Sequence, residues 1–190
     1  MRTNIFVTAL LLNLGFGAVA NAAQTPANDD GAGHVIYLDR HHVNCGFSAI
    51  NSLKLVRPSN WQIAYNYECT NTGEISANYN TTPANSDGGG NAVFLDRHLV
   101  DCRGKSMQYV NLYRPTETQI AYQYNCGNKA LTNITDHYTN YNHDGGGNTI
   151  VLDRHPMVCP AGKVLTYFHL QRVFADSNGI RYHFRCGSAN

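Results

Sequence analysis

Asp-Arg-His is the one charged motif repeated in full along the chain, as Asp39-Arg40-His41, Asp96-Arg97-His98 and Asp153-Arg154-His155, at a constant spacing of 57 residues. These residue types at this spacing support three kinds of chemistry. A carboxylate, a guanidinium fork and nearby backbone amides can bond the hydroxyl pairs of a sugar, with an aromatic such as Tyr37 or Phe94 packing on its ring. The same Asp can instead accept from an Arg and from a glycine-rich turn, locking the corner of each copy, because charges near a core are normally paired and hydrogen-bonded. A second arginine recurs as Arg57, Arg114 and Arg172 and suits that role. Third, three imidazoles gathered at one height would form a His₃ metal site. His42 has no counterpart in the other copies and reads as surface.

Catalysis finds little support. An enzyme needs one asymmetric set of groups with pKa values pushed apart, and here the reactive types are triplicated. No Ser-His-Asp, Cys-His or metal-protease signature is present, and no copy holds a distinctive carboxylate pair. No cofactor or resident metal is expected, and a secreted hydrolase is the third-ranked reading.

The motif lies inside a larger repeat. Each copy opens Asp-Gly-x-Gly at Asp30, Asp87 and Asp144, continues Leu-Asp-Arg-His, and carries two cysteines: Cys45 and Cys69, Cys102 and Cys126, Cys159 and Cys186. All intervals hold to the residue except the last, which a three-residue insertion near positions 174–178 lengthens. Six cysteines in a chain with a leader-like N-terminus read as disulfides. The repeat selects Cys45–Cys69, Cys102–Cys126 and Cys159–Cys186, each stabilising by roughly 3 kcal/mol in the chain-entropy picture.

Arg2, an apolar run and Ala20-Asn21-Ala22 read as a secretory signal over residues 1–22, with Ala18-Val19-Ala20 as a second cleavage site. Residues 23–190 then form one domain, with copies at 30–86, 87–143 and 144–190 and with 23–29 completing the last. The third copy stops just after its second cysteine, whereas Thr25-Pro26-Ala27-Asn28 matches Thr82-Pro83-Ala84-Asn85. Such matching ends predict a ring closed by its own termini.

Within the middle copy, residues 92–100 read as one strand, 107–114 as a second, and 119–126 as a third with alternating Ile120, Tyr122, Tyr124 and Cys126 on the core side. A weaker fourth fills 131–141, and 74–80 in the first copy. The class is therefore all-β, about four strands per copy, arranged as a three-fold pseudo-symmetric β-prism or alternatively a β-trefoil. Trp61, the single tryptophan, reads as core packing. Asn80 and Asn133 open N-glycosylation sequons, which carry glycans if the source is eukaryotic.

Net charge is only +1 and charged residues make up 14% of the chain, while 22 Asn and 12 Tyr supply polarity. That excludes the basic footprint of a nucleic-acid binder, and no later segment is apolar enough to span a bilayer. A neutral, hydrogen-bonding surface suits glycans or extracellular-matrix and cell-surface components. The expected function is a secreted, non-enzymatic, multivalent carbohydrate-binding protein. The alternative is a structural matrix or coat protein that self-associates.

One stretch carries a family likeness. Cys159-Pro160-Ala161-Gly162-x-Val164-Leu165-x-x-Phe168-x-Leu170, then Asn178-x-Ile180-x-Tyr182-x-Phe184-x-Cys186, resembles the repeat of vitelline membrane outer layer protein I. It is similar, more loosely, to the cysteine loops of dermatopontin-type matrix proteins. The first resemblance implies a three-repeat β-prism.

Overall fold

The computed structural model describes residues 20–75, 79–172 and 178–189. They are all-β apart from short 3₁₀ turns, and the strands form three antiparallel sheets, each open. Every sheet is built on one long hairpin: Ser48–Ser59 with Gln62–Asn71, Lys105–Thr116 with Gln119–Ala130, and Lys163–Arg172 with Gly179–Ser188. The period-two runs make these strands because one face packs inward: Ile63, Ile120 and Ile180 are buried at equivalent places, as are Leu55, Leu112 and Leu170. The inner faces meet in one shared core.

Each hairpin borrows strands on both sides. Asn80–Thr81 and Thr132–Tyr138 add to the second and third hairpins, and Ala20–Gln24 adds in the same way to the first, pairing with Asn66–Thr70. On the opposite edge the exchange runs between copies. Val43–Asn44 pairs with the second hairpin, Leu99–Asp101 with the third, and Met157–Val158 with the first. The matching N-terminal segment therefore joins the first hairpin. Residues 1–19 of the expected signal lie outside the described residues, and no helix among those described is long and apolar enough to cross a membrane.

A β-bulge recurs in every hairpin, at Asn51, Gln108 and Thr166, where the register skips one residue. A bulge frees a carbonyl from the ladder, and here each freed carbonyl has the same partner. Cys159 N–H donates to Asn51, Cys45 to Gln108 and Cys102 to Thr166, at 2.8–3.0 Å. The expected disulfides form, Cys45–Cys69, Cys102–Cys126 and Cys159–Cys186. Each first cysteine hangs on the edge of one sheet and each second cysteine lies in another, so every bond staples two sheets. The register also divides the third copy's insertion. Ile50, Met107 and Leu165 face the second cysteines, which places one inserted residue between Cys159 and Leu165 and the other two between Arg172 and Ile180.

The first expected strand, 92–100, is extended only at its end, in Leu99–Asp101. Val35–Arg40, Ala92–Arg97 and Thr149–Arg154 are 3₁₀ turns. Their buried positions recur every third residue, as Val35-Leu38-His41, Ala92-Leu95-His98 and Thr149-Leu152-His155, which is the 3₁₀ repeat. The β-branched and aromatic content suggested extension, but burial of a period-three stripe dictates the turn. Asn91 and Asn148 accept from the N–H two residues on and start it, and the N–H of each motif histidine, bonded back to the Leu carbonyl, ends it.

Candidate functional site

The 3₁₀ geometry divides the Asp-Arg-His motif. Successive residues point about 120° apart, so the histidine turns inward and the other two stay near the surface. His41, His98 and His155 are 1%, 0% and 2% exposed. Each Nδ1 lies 3.0 Å from a threonine Oγ1, that of Thr25, Thr82 and Thr139 respectively. The same hydroxyl oxygen accepts from the N–H of Tyr65, Tyr122 or Tyr182 at 2.9 Å. All three Nε2 atoms are buried without a partner. With no protein acceptor for an N–H on Nε2, the proton is assigned to Nδ1. Burial, above all, pushes the three imidazoles below their ordinary pKa, and the adjacent Arg40, Arg97 and Arg154 push the same way.

These hubs join a strand, a 3₁₀ turn and the next strand through one hydroxyl. Replacing Thr82 by valine will leave His98 Nδ1 and the Tyr122 N–H short of a partner in a dry site. The expected loss is about 1–3 kcal/mol, read as a lower denaturation midpoint. A valine variant as stable as the parent would show that the hub carries no weight. The threonines were legible in part: the Thr-Pro-Ala-Asn match marked Thr25 and Thr82, but Thr139, followed by Asn140 and Tyr141, escaped the pattern.

The His₃ metal arrangement does not occur. Among the described residues no three His, Cys, Asp or Glu side chains are placed to hold a metal, because each imidazole faces its own threonine. At the centre, His41, His155, Tyr65, Tyr122 and Tyr182 help line a cavity of about 20 Å³. That volume suits one water and excludes a sugar.

The outward half of the motif is also largely committed. In the first two copies Arg40 and Arg97 lie over the rings of Tyr37 and Phe94, 4.1 and 4.0 Å from the centroids. Gly31 and Gly88 pack against the same rings. An arginine already occupies a face of each ring, which leaves less of it to a pyranose. In the third copy Val151 replaces the aromatic, and Arg154 approaches Asp153 at 4.0 Å. Of the three expected Asp–Arg pairings across the motif, one forms: Arg172 Nε donates to Asp96 at 2.8 Å. Arg57 and Arg114 instead bond the turn carbonyls of Asn60 and Glu117 in their own hairpins. Nor does the motif Asp hold the glycine turn, since Asp30, Asp87 and Asp144 each accept from the N–H two residues on.

Trp61 reverses its expected placement. It sits in the tip of the first hairpin and is 73% exposed. Its backbone carbonyl accepts from the Asp30 N–H, and Asp29 pairs with Gln62 next to it. The equivalent positions are Thr118 and Asn178, whose carbonyls bind Asp87 and Asp144 in the same way. The tip's backbone role thus repeats while its side chain is free to vary, which is why the indole is not needed in the core. Asn80 and Asn133, which open the sequons, are both exposed. Comparison with known protein families, with curated proteins and with solved structures finds no match.

Proposed function

We propose that this chain is an exported, non-enzymatic glycan-binding protein on a β-prism scaffold, in which the Asp-Arg-His repeat locks the fold and Trp61 contacts the ligand. The observation that carries this reading is the exposed indole of Trp61 beside Asn60, Gln62 and Asp29. A large apolar ring exposed on a hairpin turn, flanked in sequence by Asn60 and Gln62 and with Asp29 on the paired strand, offers a platform for a sugar ring with polar groups in the neighbourhood. The cyclic exchange of edge strands supports the prism, and three disulfides suit an oxidising, extracellular setting. One site per chain follows from the uniqueness of Trp61, in place of the three equivalent sites that the repeat suggested.

Glycan-array binding measures this directly. The parent protein will retain neutral glycans, Trp61→Ala will lose at least about tenfold in affinity, and Trp61→Phe will keep part of it. A combined Asp39, Asp96 and Asp153→Asn variant that still folds will bind as the parent does. Retention by Trp61→Ala would sink the assignment. A folded protein that binds no glycan but self-associates would favour a structural matrix or coat role.

A further inference from the structure

The third sheet departs from the other two on its outer face. Counting from the equivalent Ile63, Ile120 and Ile180, the outward positions carry Ala64, Asn66 and Glu68 in the first hairpin and Ala121, Gln123 and Asn125 in the second. In the third they carry Arg181, His183 and Arg185, and the neighbouring strands add Tyr167, Asp136 and Tyr138. In a chain this poor in charge, such a concentration on one face marks a site.

Its parts are held firmly. Asp136 Oδ1 accepts from His183 Nε2 at 2.6 Å and from Arg185 Nε at 2.8 Å. The Arg185 guanidinium lies 4.6 Å from the centroid of Tyr167. Tyr138 stacks on His183 at 4.6 Å with an interplanar angle of 16°, and Arg181 covers the Tyr138 ring at 4.3 Å. Arg181 itself is partly exposed, and only its Nε is buried, without a hydrogen-bond partner. Among the described residues no carboxylate pairs with it. The terminal Nη groups, away from that buried Nε, are the part of the guanidinium left to meet a planar or tetrahedral oxyanion.

We propose that this face binds the acidic groups of a glycan, carboxylate or sulfate, with Arg181 as the principal contact and the outer edge of Arg185 as the second. Arg181 and Arg185 are four residues apart on one strand, about 13 Å, a span for a polymer rather than a single small anion. Tyr138, exposed between them, packs on the sugar edge, and Asp136 with His183 positions the array. The polymer class rests on the glycan-binding reading above; the oxyanion contact does not.

Binding of heparin, polygalacturonate and neutral dextran, measured calorimetrically at low and high salt, tests the site. The first probe supplies sulfate and carboxylate, the second carboxylate alone, the third neither. At least one acidic polymer will bind and weaken with salt. Arg181→Gln will cost about tenfold or more, and Arg181→Lys, which keeps the charge but loses the fork, will cost nearly as much. Arg57→Lys on the first hairpin will change nothing, and Trp61→Ala will leave acidic-polymer binding intact. Thermal melts confirm that each variant is folded. Acidic binding unaffected by both Arg181 changes, or equal binding of dextran, overturns this site without touching Trp61. If neutral glycans bind through Trp61 and neither acidic polymer binds, the third-sheet site alone fails. If no polymer binds, the third-sheet site fails, and the Trp61 reading stands or falls with the glycan array.

Discussion

Acidification from pH 7.5 to 5.5 will lower the stability of this fold, by an amount capped at about 4 kcal/mol for three sites. The cause is the trio His41, His98 and His155, buried with Nδ1 tied to threonine and Nε2 facing no acceptor. Protonating an imidazole there buries a charge and gives Nε2 an N–H with no protein acceptor. The pKa in the folded state is therefore lowered, chiefly by burial, while the unfolded chain takes up protons near pH 6.5. The unfolded state binds more protons, so stability rises with pH, is complete above about 6.5, and falls as the pH drops below it.

Three sites at about 1.36 kcal/mol per pH unit each give a limiting slope of about 4 kcal/mol per unit. That slope acts only between the unfolded value and the lowered folded-state values, and against an ordinary domain stability of about 5–15 kcal/mol it shows as a falling denaturation midpoint. Asp136, held low by its bonds from Arg185 and His183, loses its contribution only at far lower pH. Denaturant titrations across pH 5–8 measure the slope, and His98→Asn, which keeps a donor toward Thr82, will reduce it by about a third. A stability independent of pH over that range would refute the account, as would an unchanged slope in the variant.

Alanine at Gly147 will destabilise by about 2–4 kcal/mol, whereas alanine at the adjacent Gly146 will cost only about 1–2. Both have positive φ, 85° and 72°, and an L-residue there costs about 1–2 kcal/mol. The difference lies in what a Cβ meets. At Gly146 there is open space, while at Gly147 the added atom collides with the Asn91 side chain. That side chain accepts from the Val93 N–H at 2.9 Å and starts the middle 3₁₀ turn, so displacing it adds a lost cap of about 0.5–2 kcal/mol. The contact repeats around the molecule: Asn148 against Gly33, His34 against Gly90, Asn91 against Gly147. Each copy's turn thus seats a side chain from another copy. Equal losses for the two variants, in thermal or denaturant unfolding, would show that this interlock adds nothing beyond backbone strain.

Much of the scaffold was legible in one dimension. Alternation at Ile120, Tyr122 and Cys126 marked the hairpin strands, and equal cysteine spacing selected the disulfides. The 3₁₀ turns were misread because a histidine occupies the third buried place of each stripe; counted as apolar, Val35-Leu38-His41 shows its period of three. Trp61 was misread because hydrophobicity alone does not reveal that a repeat uses only the backbone at that position. The face built on Arg181, His183 and Arg185 was missed for the opposite reason: attention to the repeat hides the places where one copy departs from it.

The sequence by itself determined what is local or periodic: an all-β chain of three copies, which residues alternate, and which cysteines pair. Only the tertiary structure decided that the edge strands pass between copies, that each disulfide joins two sheets, and that the motif histidines face inward while Trp61 faces out. Strand formation depends on side-chain order along the chain. Burial, and with it pKa and ligand access, depends on which neighbour packs against each face, and those neighbours come from other copies.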